Sequence, residues 1–345
     1  MKRQVLKKLL SALFFVLVFA LTVWAVFKGE DLGALWQYLL EINDWYLIPA
    51  IGCVVLFLMG EGFEIYMLMK PLGAPVQFSH SVLYSFIGFF YSAITPSASG
   101  GQPMQIIAMR KDGLSMAEST IALAVITIVY KSVLLVYGFA VLLFRPARVM
   151  TCVAPVEGFV YLGLGLNVIV VGALLLLVFK PETVRRMVRM IFALLKKIKL
   201  IRDPEKSNTR LEGLIGRYQG ASQYFKRNPL LILRVFLVAF VQRTLLFSAV
   251  WFCYKAFGLT GDHAVTVTIL YGLISVMVDM LPLPGGMGIS ETLFLTMFTP
   301  IFGEALVLPG MVVSRGVSYY SQLLLSATMT AVSRLFIGKK KQVAQ

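Results

Sequence analysis

Charged residues are scarce in this chain: they make up 14% of its 345 residues, whereas hydrophobic residues make up 58%. A soluble domain carries about 25% charged residues, so a soluble fold of this size could not bury so much apolar surface. Cysteine and histidine are also rare. The three cysteines show no disulfide or zinc-binding spacing, and the two histidines, His80 and His263, fall in different apparent loops. The chain also lacks a Walker loop. We therefore predict no metal, no cofactor and no enzymatic activity.

Long apolar runs stand in place of these features. A transmembrane helix needs about 20 mostly apolar residues. Six runs of suitable length occur, at 9–27, 46–69, 116–144, 159–179, 229–254 and 307–335. They do not alternate between polar and apolar residues, so we predict an all-α polytopic membrane protein and not a barrel. The first run is longer than a signal-peptide core and lacks a cleavage site, so we predict that it is a retained span.

Two shorter apolar stretches, 78–94 and 265–281, each run into a break that is rich in proline and glycine. The breaks are residues 95–103 (TPSASGGQP) and 281–288 (LPLPGGMG), and a short apolar piece follows each of them. An unpaired backbone amide in lipid is unfavourable by several kcal/mol, so such breaks persist only where protein buries them or where they line a wet cavity. The pattern predicts two re-entrant hairpins.

The lysine and arginine residues give every loop one consistent orientation, because these residues are enriched on the cytoplasmic side of membranes. The N-terminus, the stretch 180–228 and the C-terminal residues 339–341 are basic, whereas the loop 28–45 is acidic. We predict a multi-pass protein of the cytoplasmic membrane with both termini in the cytoplasm. In this orientation the first hairpin enters from the cytoplasm and the second from the outside, so the two broken helices are opposed.

Three landmarks recur at nearly one spacing. Lys70-Pro-Leu-Gly73 and Lys255-Ala-Phe-Gly258 lie 185 residues apart, as do the two Gly-Gly pairs, and Lys131 and Arg315 differ by 184. We interpret this as an inverted repeat of residues 46–144 and 229–335 within a single transmembrane domain, 1–345, with 145–228 as linker. Matching broken helices in two inverted halves indicate a transport site near mid-membrane. Chance coincidence is the alternative, because the chain contains 28 glycines.

Charged side chains in the apolar segments are candidate site residues, since each costs at least about 2.5–3.5 kcal/mol at the bilayer centre. Polar groups and glycines at the breaks are further candidates, because helix N-termini offer backbone amides to anions. The predicted substrate-binding residues are Glu61, Ser97, Ser99, Gly100, Gly101, Gln102, Lys131, Arg243, Asp279, Gly285, Gly286, Glu291 and Arg315. Their cations suit an anionic group such as a phosphate. The alternative is that buried ion pairs only hold the helices together.

Glu64 shares one helix face with Glu61, but Glu61 lies in the middle of its run and is the stronger candidate.

Residues 184–202 (VRRMVRMIFALLKKIKLIR) have the pattern of a basic amphipathic helix. Such a helix lies on the membrane surface and attracts anionic headgroups of the inner leaflet. The net charge of +15 is therefore assigned to membrane orientation and lipid contact, and we predict no nucleic-acid partner.

The two broken motifs, PSASGGQPMQ at 96–105 and LPLPGGMGISE at 281–291, resemble the lysylphosphatidylglycerol synthase transmembrane-region family. The second motif follows PGGxGxxE from Pro284 to Glu291. Many relatives carry an acidic residue after the first Gly-Gly, where this chain has Gln102. The resemblance implies a flippase for a polar membrane lipid, such as an aminoacylated phosphatidylglycerol or an isoprenoid phosphate, and for some members a role in antimicrobial peptide resistance. The family includes the flippase half of the bacterial multiple peptide resistance factor. We expect no synthase activity, since the cytosolic aminoacyl-transferase domain of that full-length factor is missing.

Two other classes of function stay open from the sequence. A secondary transporter of a small anion would have a closed aqueous vestibule, whereas a lipid flippase would have a lateral opening between spans. A non-transporting membrane subunit that recruits a lipid-modifying enzyme would have fully paired charges around a filled centre. A homo-oligomer is compatible with each of these.

Overall fold

The computed structural model describes residues 32–95, 98–180, 182, 186, 190, 204–281, 283–333 and 337, and every regular element in these ranges is helical. The prediction of an all-α fold is thereby confirmed. The predicted first span at 9–27 lies outside the described residues. The predicted amphipathic helix at 184–202 also lies outside them, apart from residues 186 and 190.

The helices differ widely in length, from 7 residues to 29. In chain order they are α1 (Leu32–Glu41), α2 (Leu47–Met69), α3 (Phe78–Ala93), α4 (Gly101–Lys111), α5 (Met116–Phe144), α6 (Ala147–Val153), α7 (Glu157–Phe179), α8 (Pro204–Arg227), α9 (Pro229–Ala256), α10 (Ala264–Val278), α11 (Ile289–Phe302), α12 (Glu304–Arg315) and α13 (Gln322–Ser333). Within the described ranges, four segments are long and apolar enough to cross a membrane, and they contain α2, α5, α7 and α9. These four helices match the predicted runs 46–69, 116–144, 159–179 and 229–254 to within two residues.

The last predicted span, 307–335, differs from a plain helix. It consists of α12, a π-helical turn at Gly316–Ser321, and α13. The π-helical turn follows Arg315 directly and contains Tyr319. Single π-helical turns inside α-helices are frequent at functional sites, because the extra residue changes the direction of neighbouring side chains. The run of apolar residues in the sequence contains no signal for it.

Both predicted hairpins are present as pairs of short helices joined by a break. α3 and α4 are antiparallel: Gly88 faces Gln105 near the middle, and His80 Nδ1 lies 2.7 Å from Asp112 Oδ2 at the base. At the base of the second hairpin, Arg148 of α6 contacts both ends. Its guanidinium donates to Asp262, ahead of α10, and to the carbonyl oxygen of Pro300 in α11, at 2.7–2.8 Å.

The halves 46–144 and 229–335 have matching helices in matching order, and the equivalent helices α2 and α9 pack closely against each other. The Asn43 amide donates to the Ala256 carbonyl at 2.9 Å, and Gln242 Nε2 donates to the Phe57 carbonyl at 2.7 Å. Contacts therefore run from the start of one helix to the end of the other, so α2 and α9 are antiparallel. Equivalent helices are antiparallel in an inverted repeat, but the side on which each half enters the membrane stays a prediction.

Packing between the halves is reciprocal. α3 of the first half packs against α13 of the second, and its counterpart α10 packs against α5 of the first. The linker helix α7 lies against α5 and α10, while α8 is attached to the end of α7 by Ser222 and Tyr218, whose hydroxyls donate to the Val178 and Leu177 carbonyls. The two halves thus enclose a common centre, to which both breaks contribute.

Candidate functional site

A cavity of about 500 Å³ lies at this centre. It brings together predicted site residues from both halves: Glu61 of α2, Ser99 and Gln102 at the first break, Lys131 of α5, Arg243 of α9 and Asp279 at the second break. Apolar side chains such as Phe89, Leu123 and Ile126 complete its wall. The residues at the first break, Ala98, Ser99, Gln102 and Pro103, are exposed, so the cavity is open there.

Arg243 is the cation that faces the cavity with its charge least engaged. Its guanidinium lies over two aromatic rings, 4.0 Å from the ring centre of Tyr130 and 4.8 Å from that of Phe57. Within the described part of the chain, no carboxylate lies within 4.0 Å of it and its Nε has no hydrogen-bond partner. Stacking on aromatic faces fixes the plane of a guanidinium and leaves its N–H fork free for an anionic group such as a carboxylate or a phosphate.

Two carboxylates accompany Arg243. Glu61 lines the cavity and accepts a hydrogen bond of 2.6 Å from Gln105 Nε2 of α4. Glu64, one turn further along α2, is 1% exposed, and its Oε1 has no hydrogen-bond partner among the described residues. Arg243 interacts electrostatically with both. The positive charge of one guanidinium therefore interacts with two carboxylates.

Lys131 is engaged by partners from other helices. Its ammonium donates to Asp279 at the start of the second break, and Asn167 Oδ1 of the linker helix lies 3.5 Å away. Asn167 is fully buried and donates in turn to the Gly163 carbonyl at 2.9 Å. The pair joins the two halves at the cavity wall and makes no net contribution to its charge.

At the first break, one residue contributes a polar group and two glycines contribute to packing. Gln102 Nε2 donates to Thr127 Oγ1 and faces the cavity mouth. Gly100 is tied down by its amide, which donates to Thr95 Oγ1 at 2.9 Å. Gly101 is buried where α4 approaches α3, and a Cβ there would lie 2.7 Å from the Gly88 carbonyl oxygen. These two glycines allow close packing and are not on the cavity wall. Ser97 lies outside the described residues.

The second break differs from the expectation that Glu291 and Arg315 line the same cavity. Arg315 Nε donates to Glu291 Oε1 at 2.7 Å, and its Nη2 donates to the Gly285 carbonyl at 3.1 Å. Glu291 Oε2 accepts from the Gly288 amide at 2.8 Å. The carboxylate thus caps the N-terminus of α11, so that end of the helix is not open to an anion, contrary to our prediction. Gly286 is buried against Val278.

The comparison with known families agrees with this architecture. Residues 9–326 match the family described as lysylphosphatidylglycerol synthase TM region. The chain belongs to this family. A UPF0104 membrane protein of Archaeoglobus fulgidus is 27% identical over 94 residues, which cover 27% of this chain and 29% of that protein. As a member of the lysylphosphatidylglycerol synthase transmembrane-region family, with four long apolar helices among its described residues, the chain is a multi-pass membrane protein.

Some residues at or near the site of this family member were not identified from the sequence. Gln105 and Tyr130 are neutral or aromatic and occur in helices with many similar residues, so neither carries a signal of its own. Gln242 could have been found: its side chain contacts Phe57, and the two positions lie 185 residues apart, as do the glycine pairs. The inverted repeat stays a prediction; its equivalent positions would meet only at its axis, and this contact would then place the axis where α2 crosses α9.

Proposed function

We propose that this protein translocates an anionic polar lipid between the leaflets of the cytoplasmic membrane, with the headgroup bound to Arg243 in the central cavity. The observation that carries the proposal is the state of the three central cations. Lys131 pairs with Asp279 and Arg315 with Glu291, whereas Arg243 lies beyond 4.0 Å from any carboxylate in the described ranges. A phosphate or phosphodiester is one of the groups whose geometry a guanidinium fork matches.

The walls of the cavity support a lipid over a soluble anion. Polar groups cluster around Arg243 and Glu61, while Phe89, Leu123 and Ile126 provide an apolar wall beside them. The cavity is open at the first break, which the topology prediction puts at mid-membrane depth. A headgroup could bind inside while its acyl chains stay in lipid. Membership of a family named for lysylphosphatidylglycerol synthesis supports a lipid in the same way.

No reaction chemistry is required of the protein in this proposal. The central residues bind, orient and neutralise a headgroup, and the matched family is a transmembrane region. The proposed site comprises Glu61, Ser99, Gln102, Lys131, Arg243 and Asp279. Glu291, Arg315 and the glycine pairs are assigned to the scaffold that holds the two breaks. Both termini and the basic stretch 180–228 are proposed to be cytoplasmic.

The test is translocation of fluorescent phosphatidylglycerol in proteoliposomes, read as the fraction of probe that becomes accessible to a membrane-impermeant quencher. Replacing Arg243 by alanine removes charge-assisted hydrogen bonds worth about 1.5–3 kcal/mol, which corresponds to a roughly 10- to 100-fold loss of headgroup affinity. We expect the translocation rate to fall by at least tenfold. Arg234→Ala is the matched control, because Arg234 lies on the same helix α9 with an exposed side chain.

A wild-type rate in Arg243→Ala would refute the role of the cavity. The water-soluble headgroup analogue glycerophosphoglycerol distinguishes a lipid substrate from a small anion. If the analogue is itself transported into the vesicles and the lipid is not, the protein is a small-anion transporter and the lipid proposal fails.

A further inference from the structure

The charge balance around Arg243 leads beyond the proposed function, on which this inference rests. Lys131 and Asp279 neutralise each other. In the described part of the chain, Arg243 then remains as the one cation that acts on both Glu61 and Glu64. With both carboxylates ionised the group carries one net negative charge, although Glu64 is 1% exposed. An unpaired buried carboxylate is strongly unfavourable, and such a group neutralises itself by binding a proton.

The geometry points to a proton-binding pair: we propose that Glu61 and Glu64 take up one proton for each anionic headgroup that Arg243 binds. The two residues are one turn apart on α2, so both side chains lie on the same helix face, and both interact electrostatically with Arg243. When the guanidinium is bound by a headgroup, the carboxylates lose the one cation that balances them among the described residues. One carboxylate then becomes a carboxylic acid by gaining a proton from the aqueous phase, and no other bond forms or breaks.

The surroundings of the pair contain no second cation that could take over this role within the described ranges. On α3 the ionisable side chains His80 and Tyr84 both bond to Asp112, at 2.7 and 2.5 Å. On α5 the hydroxyl-bearing Tyr130 stacks on Arg243, and the adjacent lysine is engaged by the second break. Arg315 of α12, which leads into the π-helical turn beside α2, is paired with Glu291. Gln105 of α4, which bonds to Glu61, is neutral.

The two carboxylates differ in their surroundings, and this difference assigns them separate roles. Glu61 faces the cavity and accepts a hydrogen bond from Gln105, so its ionised form is supported when the site is empty. Glu64 is buried behind it, and its Oε1 has no donor among the described residues, so it keeps its proton. The proton exchanged with the headgroup is therefore the one on Glu61. A proton gradient would then bias the direction in which an anionic lipid moves.

Isothermal titration calorimetry counts these protons directly. Phosphatidylglycerol with short acyl chains is titrated into protein in nanodiscs, in two buffers of different ionisation enthalpy. Its phosphodiester stays ionised from pH 5 to 8, so proton uptake reports on the protein. We expect about one proton per lipid bound, and a Kd that rises about tenfold per pH unit across the titration of the pair, as linkage requires.

Three variants decide the outcome. Glu61→Gln keeps a carbonyl oxygen for Gln105, and we expect it to bind lipid with nearly no proton uptake. Glu64→Gln resembles the protonated acid, so we expect it to bind lipid with wild-type proton uptake. Should Glu61→Gln fail to fold, the Glu64→Gln variant still tests the assignment. Abolished proton uptake in Glu64→Gln would overturn the assignment to Glu61. Glu304→Gln, at an exposed position, is the control. Wild-type binding with no proton uptake would overturn this inference and leave the proposed function intact, whereas absence of lipid binding would refute the proposed function itself.

Discussion

A methyl group added at Gly285 tests whether the second break is held as the structure indicates. Gly285 has φ 59° and ψ 15°, in the left-handed region, and a Cβ there would lie 2.5 Å from Cζ and 2.7 Å from Oη of Tyr319. Ordinary van der Waals contact begins at 3.4 Å, so the ring would have to move by roughly 1 Å. Its hydroxyl donates to the Ala93 carbonyl at 3.1 Å, and the Arg315 guanidinium lies over its face. The ring is thus held in place by both halves.

The expected loss of unfolding free energy in Gly285→Ala has two contributions. An L residue in the left-handed conformation costs roughly 1–2 kcal/mol. Overpacking against a fixed ring costs a further 1–3 kcal/mol or so. The substitution Gly73→Ala measures the backbone contribution alone. Gly73 has φ 74° and ψ 11°, and nothing lies within 4 Å of a Cβ added there. We expect Gly285→Ala to lower the free energy of unfolding by about 1–3 kcal/mol more than Gly73→Ala does.

The assay is equilibrium unfolding by SDS in mixed micelles, followed by circular dichroism. In a Tyr319→Ala background the ring is absent, so Gly285→Ala should cost no more than Gly73→Ala. Equal effects of Gly285→Ala in the two backgrounds would refute the reasoning, because the clash would then make no contribution. So would equal effects of the two glycine substitutions in the wild-type background.

Three further predictions concern the pair at the cavity wall, the axis and the topology. Lys131→Met leaves Asp279 buried without its cation and should destabilise the protein by about 3–5 kcal/mol in the same SDS assay, whereas the double variant with Asp279→Leu should recover most of that; no recovery would contradict pairing. Gln242→Ala removes the hydrogen bond to α2 and should cost about 1–3 kcal/mol, and a wild-type midpoint would exclude a role at the axis. In a variant without the three buried native cysteines, a cysteine at Gly213 should resist an impermeant thiol reagent in intact cells while one at Glu304 reacts, and the reverse pattern would overturn the orientation.

Much of the fold follows from the sequence because lipid is a demanding solvent. A span must be apolar for about 20 residues, and an interruption by proline and glycine must be protected, so both leave plain signals in the chain. Four predicted spans agree with helices of the structure, and both breaks lie where the motifs put them. Two short helices, α1 and α6, were not predicted, because they are too short and lie in loops whose composition reports only orientation.

The partners of the charged side chains depended on the tertiary structure. The sequence by itself determined that charges are retained in apolar segments, and hence that they must be compensated. It could not determine that Lys131 meets Asp279, 148 residues away, or that Arg315 pairs with Glu291 and closes the second break. Nor could it single out Arg243, whose difference from the other cations is a matter of neighbours. Compensation is a requirement on each charge and is visible in composition, whereas the choice of partner is set by distances of a few ångströms between segments that only packing brings together.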